Sequence, residues 1–234
     1  MPAPQGPVVV AVDGPSGSGK SSVSREVALR LGLAYLDTGA MYRAVCWWCL
    51  ERAVDLEDAD AVAAQARQVP LVMGTDPAAP SVTVDGHDVA RAIRESRISQ
   101  VVSAVATNLE VRAELGRRQR EIIAAASTDG AGVVAEGRDI TTVIAPDADV
   151  RVLLIADEAA RLARRARELH GHAQAEAIEA TRDEVLRRDA QDSTVSVFHT
   201  AADGVVTVDS STLTFEQTVD AVLQLVARLT GAHR

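Results

Sequence analysis

Gly14-Pro15-Ser16-Gly17-Ser18-Gly19-Lys20-Ser21 places glycines, one lysine and several hydroxyls at the spacing G-x-x-x-x-G-K-[ST]. Those residue types at that spacing make an anion cradle. Glycines let backbone N–H groups ring a phosphate, and a following helix N-terminus adds partial positive charge. Lys20 adds a point charge, and the Ser21 hydroxyl can reach a magnesium ion. The flanks fit this chemistry. Val8-Val9-Val10-Ala11-Val12 reads as a short buried strand. From Ser22 onward, apolar residues at 23, 27, 28 and 31 mark one helix face, closed by Gly32. Strand, loop and helix in this order bind the phosphates of a nucleoside triphosphate.

Four further segments carry groups that could act on a second anion. In Asp37-Thr38-Gly39-Ala40-Met41-Tyr42-Arg43, Thr38 can cap a helix that gathers a ring and a guanidinium at its start. Such a cluster suits a nucleoside monophosphate; a plain capped helix with a surface arginine has the same spacing. Ala135-Glu136-Gly137-Arg138-Asp139 ends an apolar run, and ligands of open α/β sheets sit beyond the carboxyl ends of strands. Arg161, Arg164, Arg165 and Arg167 spread charge over about two helical turns, with 161, 164 and 165 on one side. They form either a solvated face or arginine fingers on a closing hairpin. Arg187-Arg188-Asp189-Ala190-Gln191-Asp192 would return to the same place.

The elements that must position these groups follow from patterning. Strand-like runs at 8–12, 33–37, 133–135, 150–155 and 205–208 alternate with helical segments, which predicts a parallel sheet with helices on both faces. A helix over 108–126 and a stripe from Phe215 to Leu229 complete the core. Residues 157–190 read as a helical hairpin with its tip near His170-Gly171-His172. Between 68 and 97 the alternation stops. Val69–Met73 and Ser81–Val89, joined through Asp76-Pro77-Ala78-Ala79-Pro80, predict a small antiparallel insertion.

Composition excludes several function classes. A net charge of −9 disfavours nucleic acid and anionic membranes as partners, and no 18-residue apolar stretch or signal peptide is present, so the expected location is the cytoplasm. Lys20 is the only lysine beside 23 arginines. Cys46 and Cys49 are spaced C-x-x-C, but within an apolar helical run without a second ligand pair, so buried free thiols are expected. No Asn-Lys-x-Asp base reader of a GTPase occurs, and 234 residues are too few for a motor. What remains is a small phosphoryl-transfer enzyme holding two anionic substrates in line.

Taken together, these segments resemble the bacterial cytidylate kinases over essentially the whole chain. The resemblance rests on Val12 through Ser21, Asp37 through Arg43, Val84 through Val89 with Ile93-Arg94, Ser103 through Arg112, Glu136 through Asp139, and Arg188-Asp189 with Asp192-Ser193. It implies a P-loop three-layer α/β core with a central parallel sheet, a small antiparallel monophosphate-binding insertion and a helical lid. The implied division is 1–66 and 116–234 for the core, with a lid at about 157–192, and 67–115 for the insertion. It implies transfer of the γ-phosphoryl group of ATP to CMP or dCMP, with Mg2+; the chain shows no heptad or unexplained apolar face, so a monomer is expected.

By motif match, Gly14, Pro15, Ser16, Gly17, Ser18, Gly19, Lys20, Ser21 and Ser22 wrap the ATP phosphates, and Ser21 reaches the metal. Thr38, Tyr42, Arg43, Arg112 and Arg138 correspond to the set that orients the CMP phosphate. Ser103, Asp139, Arg188 and Asp192 correspond to readers of cytosine and ribose, and Arg161, Arg164 and Arg165 to the lid. Lys20, Arg138, Arg164 and Arg165 are the expected catalytic groups. One departure stands out: Val195 occupies a position where the family usually has arginine, and Ser196-Val197-Phe198-His199-Thr200 lacks the usual proline. Two other readings carry fewer of these features: a P-loop kinase for another phosphorylated small acceptor such as UMP, and a nucleotide-binding regulator without catalysis.

Overall fold

A computed structural model describes residues 6–170 and 174–231. Five strands, β1 (Val8–Asp13), β2 (Ala34–Asp37), β6 (Gly132–Gly137), β7 (Val150–Ile155) and β8 (Val206–Asp209), form one parallel sheet in the order β2-β6-β1-β7-β8. The β-branched runs become the buried central strands, as strands covered on both faces require. Alternation along β1 divides the core. Val10 and Val12 face a layer made by α1 (Lys20–Leu31) and α9 (Phe215–Thr230), whereas Ala11 faces α2 (Thr38–Glu51) and α6 (Leu109–Asp129). Helix ends follow their chemistry. Gly32 closes α1 in a left-handed conformation, and Thr214 with Gln217 forms a capping box on α9.

The interrupting segment begins with α3 (Ala59–Gln68) and a second sheet of β3 (Leu71–Gly74), β4 (Ser81–Val84) and β5 (His87–Asp88), all antiparallel. The second apolar run is folded in two rather than continuous. Asp85 and Gly86 both take positive φ, 52° and 76°, which suits a tight hairpin turn matched to strand twist. Short helices α4 (Ser96–Ser99) and α5 (Val102–Ala106) follow. Val84, Ile93, Ile98, Val102 and Val105 pack into the same apolar cluster as Met41, Val45 and Cys46 of α2. The insertion is thereby seated on the helix that opens the second half of the site. Arg25 of α1 donates to the carbonyls of Pro77 and Ala78, at 2.7 and 3.0 Å, and holds the insertion's proline turn from the other side.

The hairpin consists of α7 (Glu158–His170) and α8 (Ala175–Asp192). Its expected tip at 170–172 falls largely on residues 171–173, outside the described residues. Cys46 and Cys49 are buried free thiols. Burial, with the neighbouring Cys49 for Cys46, pushes the two thiols up to about 12 and about 11.

Candidate functional site

The site lies beyond the carboxyl ends of β1, β2 and β6, where the sheet order places the three strand ends side by side. At the end of β1, the Asp13 carboxylate accepts from the Ile140 and Thr141 amides (2.9 and 2.8 Å) and from the Thr141 hydroxyl (2.6 Å). It therefore ties the phosphate loop to the turn bearing Arg138 and Asp139. Gly17 has φ 74°, and a Cβ there would stand 2.5 Å from the Arg161 carbonyl oxygen, so α7 (Glu158–His170) packs on the loop without space for a side chain. The loop turns on Ser18 N–H to the Pro15 carbonyl, and the Ser18 hydroxyl is buried without a hydrogen-bond partner among the described residues. Lys20 donates to the Pro15 carbonyl at 3.4 Å, and burial lowers its ammonium from the usual lysine range. The Ser21 hydroxyl donates to Glu136 Oε1 at 2.6 Å.

Arginines of α7 meet this loop. Arg161 donates to the Ser16 carbonyl at 2.9 Å and to Asp189. Arg164 donates to the Ser18 carbonyl at 3.0 Å and to the hydroxyl and carbonyl of Ser210. Arg165 reaches the Ser99 hydroxyl at 3.4 Å. An open cleft of ≈ 700 Å³ lies along Gly17–Val23 and is bordered by Arg164, Arg165 and the 210–218 segment. Gly14, Pro15 and Arg161 do not border that cleft: Gly14 backs onto the Leu154 carbonyl, and Arg161 is engaged with Ser16 and Asp189.

The other half is made of side chains. Thr38 does not cap α2; Asp37 does, accepting from Ala40 N–H at 2.8 Å, because its carboxylate reaches back where the shorter hydroxyl points across to β6. Thr38 instead donates to the Glu136 carbonyl at 2.8 Å, joining β2 and β6 at their ends. Burial opposes ionisation of Asp37, but Arg43 (3.0 Å) and Arg94 (3.3 Å) hold it below the usual carboxylate range. Glu136 lies in the opposite balance. Burial, then the Asp37 charge, pushes it up to about 7.

Arg112 pairs with Asp139 and donates to the Ala106 carbonyl at 3.1 Å. Ser103 donates to Asp192 at 3.2 Å. Arg138 binds Asp189 (2.8 Å) and Asp192 (2.9 Å), with its guanidinium over the Phe198 ring at 4.3 Å. Burial, then repulsion from Arg138 and Arg43, lowers Arg188 to about 10. Burial, then the Asp139 charge, pushes Tyr42 up to about 12.

These groups enclose two small cavities. One, of ≈ 70 Å³, is lined by Thr38, Tyr42, Arg112, Asp139, Arg188 and Asp192, among others. The second, of ≈ 80 Å³, lies between it and the phosphate loop. Lys20, Arg43, Arg94, Arg138, Arg165 and Arg188 line it with Ser16, Gly17, Ser21 and Ser99, and among the described residues no carboxylate does. Among the described residues, the buried Nε of Arg43 and of Arg188 find no hydrogen-bond acceptor. Six cations around a pocket of that size make a seat for an anion.

Val195 is half-buried in the turn after α8 and brings no charge there, whereas the adjacent Ser196 borders the first cavity. Asp13, Asp37, Arg94, Ser99 and Asp189 join the site without having been singled out as site residues. Most stand inside the quoted motifs, where their spacing beside chosen residues was the available signal; Ser99 has none.

The chain matches the model of the cytidylate kinase family over residues 10–228. It is 47% identical over 220 residues to the cytidylate kinase of Streptomyces avermitilis, covering 94% of this chain and 92% of that one. It is 48% identical to those of Streptomyces coelicolor (96% and 95% covered) and Cutibacterium acnes (94% and 96%). Among solved structures, an uncharacterised protein from Eubacterium ventriosum shares the fold, with a TM-score of 0.50 at 11% identity, over 94% of this chain and 98% of that one. A strand-end site with a phosphate loop on one side and an anion seat on the other, in a chain this similar to these relatives, has one family assignment: the chain belongs to the cytidylate kinases.

Proposed function

We propose a division of labour for the phosphoryl transfer to CMP that this kinase carries out. The observation that carries it is the carboxylate-free cavity ringed by Lys20, Arg43, Arg94, Arg138, Arg165 and Arg188. It is small enough for one phosphoryl group and stands between the donor cleft and the acceptor pocket.

In this reading Gly14 to Ser22 wrap the ATP phosphates, Arg164 and Arg165 close from the lid, and Arg161 orients the loop through the Ser16 carbonyl. Thr38, Tyr42, Arg43, Arg112 and Arg138 hold the CMP phosphate, and Ser103, Asp139, Arg188 and Asp192 read base and sugar. A CMP phosphate oxygen attacks the γ-phosphorus as the bond to the ADP oxygen breaks. Lys20, Arg138, Arg164 and Arg165 meet the charge spread over the transferred group. No protein nucleophile is required. Ser21 and Glu136 offer hard oxygen donors that would hold Mg2+, and the ion would supply positive charge against the donor phosphates. The deoxy substrate dCMP fits the same acceptor set.

The proposed architecture keeps 1–66 and 116–234 as the core, about 157–192 as the lid and 67–115 as the insertion, acting as a cytoplasmic monomer. Lid and insertion close over both substrates and exclude water as acceptor. A coupled assay with ATP against CMP, dCMP, UMP and AMP tests the reading. Turnover with CMP and dCMP well above that with UMP and AMP is expected. Failure of both cytidine nucleotides would overturn it, and compaction in small-angle scattering with both ligands checks closure.

A further inference from the structure

The Asp189 carboxylate lies near the end of α8, only 4% exposed, with partners from three segments. One oxygen accepts from the Ser16 amide of the phosphate loop at 3.1 Å and from Arg138 of the acceptor side at 2.8 Å. The other accepts from Arg161 of α7, and the same Arg161 nitrogen donates to the Ser16 carbonyl at 2.9 Å. Both backbone polar groups of Ser16 are thus held by the lid, one by Asp189 and one by Arg161. Arg138 continues the chain, through Asp192, to Ser103 of the insertion. Burial opposes the charge on Asp189, yet Arg138, Arg161 and the Ser16 amide keep it below the usual carboxylate range.

We propose that Asp189 is a positioning residue that couples the two substrate sites, making occupancy of the acceptor pocket tighten the donor loop. The inference rests on Arg138 meeting the acceptor phosphate. A phosphate in the six-cation cavity competes with Asp189 for Arg138, which borders both cavities. As Arg138 turns to that phosphate, the Asp189 charge falls to Arg161 and the Ser16 amide, and the loop is held more firmly in its phosphate-ringing shape. Linkage makes the effect reciprocal. No covalent bond is made or broken by Asp189, and it touches neither substrate.

The test is calorimetric binding of the magnesium complex of the imido analogue of ATP to the full chain, alone, with CMP and with cytidine. CMP should tighten the analogue by about five- to tenfold, within the usual range of such couplings, and cytidine, lacking the phosphate, should not. Asp189→Asn, similar in size and still able to accept from Ser16, should bring the CMP effect within about twofold while thermal unfolding verifies folding. Arg161→Met, which can donate to neither Ser16 nor Asp189, should cut the effect part way and serves if the first variant does not fold. No CMP effect in the parent chain, an equal effect of cytidine, or full coupling in either variant overturns the inference. Arg138→Met separates it from the reading beneath it. An unchanged CMP KM in that variant overturns the reading, whereas a raised KM with coupling intact in Asp189→Asn overturns only the inference.

Discussion

The donor cradle and the proposed acceptor half of the site are built in different ways. The donor cradle is eight consecutive residues, Gly14 to Ser21, whose work is done by backbone amides, one lysine and a helix N-terminus. The proposed acceptor pocket takes side chains from α2, α5, α6, the β6 end and α8, stretches well separated along the chain. A cradle of backbone needs only the right φ/ψ, which glycines supply locally. A pocket of side chains needs the sheet order, the seating of the insertion and the docking of the hairpin, and buried ion pairs then hold it. Arg112–Asp139, Arg138–Asp192 and Arg43–Asp37 each bind a guanidinium to a carboxylate before substrate arrives. Breaking such a pair strands a buried charge, so the acceptor half should be the less tolerant of single substitutions.

Arg138 stands where the halves meet, and its loss should do most damage. Arg138→Met is expected to lower kcat by on the order of 10³-fold and to raise the KM for CMP; steady-state kinetics with both substrates varied would show a loss confined to one half if the two do not share it. Arg112 belongs to the acceptor half alone. Arg112→Met should raise the KM for CMP by roughly ten- to a hundredfold, the range for a lost charged hydrogen bond, with the KM for ATP within about twofold. A matched change in both constants would blur the division drawn here.

Gly17 belongs to the phosphate loop and to its contact with α7. Gly17→Ala forces a left-handed alanine against the Arg161 carbonyl and should cost about 1–3 kcal/mol, read as a lowered Tm and a raised KM for ATP with CMP affinity nearly kept. The smallest effect concerns α2, behind the acceptor half. Cys46 and Cys49 are held neutral in the fold, with pKa values of about 12 and 11, whereas unfolded thiols ionise near 8.5. The unfolded state therefore releases protons first, and stability falls as pH rises above about 8.5, until the folded thiols ionise too. By pH 9.5 the loss should be on the order of 1 kcal/mol per thiol, seen as a steeper decline in urea unfolding than in a Cys46→Ala/Cys49→Ala variant.

The fold was legible where the pattern is local. The run 150–155 is β7 as read, and the Gly32 stop and the Phe215 to Leu229 stripe delimit α1 and α9. The acceptor half was legible as motifs but not as geometry. Asp37 rather than Thr38 caps α2 because β6 lies close enough to take the Thr38 hydroxyl, and no spacing within 37–43 carries that information. Ser99 sits in a four-residue helix without a motif and enters the six-cation cavity only because the insertion packs on α2.

By itself the sequence determined the phosphate loop, the apolar strands and helices around it, and a reserve of arginines in an otherwise acidic chain. A contiguous motif encodes its own backbone conformation, and periodicity encodes which face is buried. The tertiary structure alone decided which carboxylate each arginine meets, that Glu136 lies against Ser21 while Asp189 lies against Ser16, and that six cations converge on one small cavity. Those are distances across the sheet order and the docked hairpin, and electrostatics depends on distance in space, not on separation along the chain.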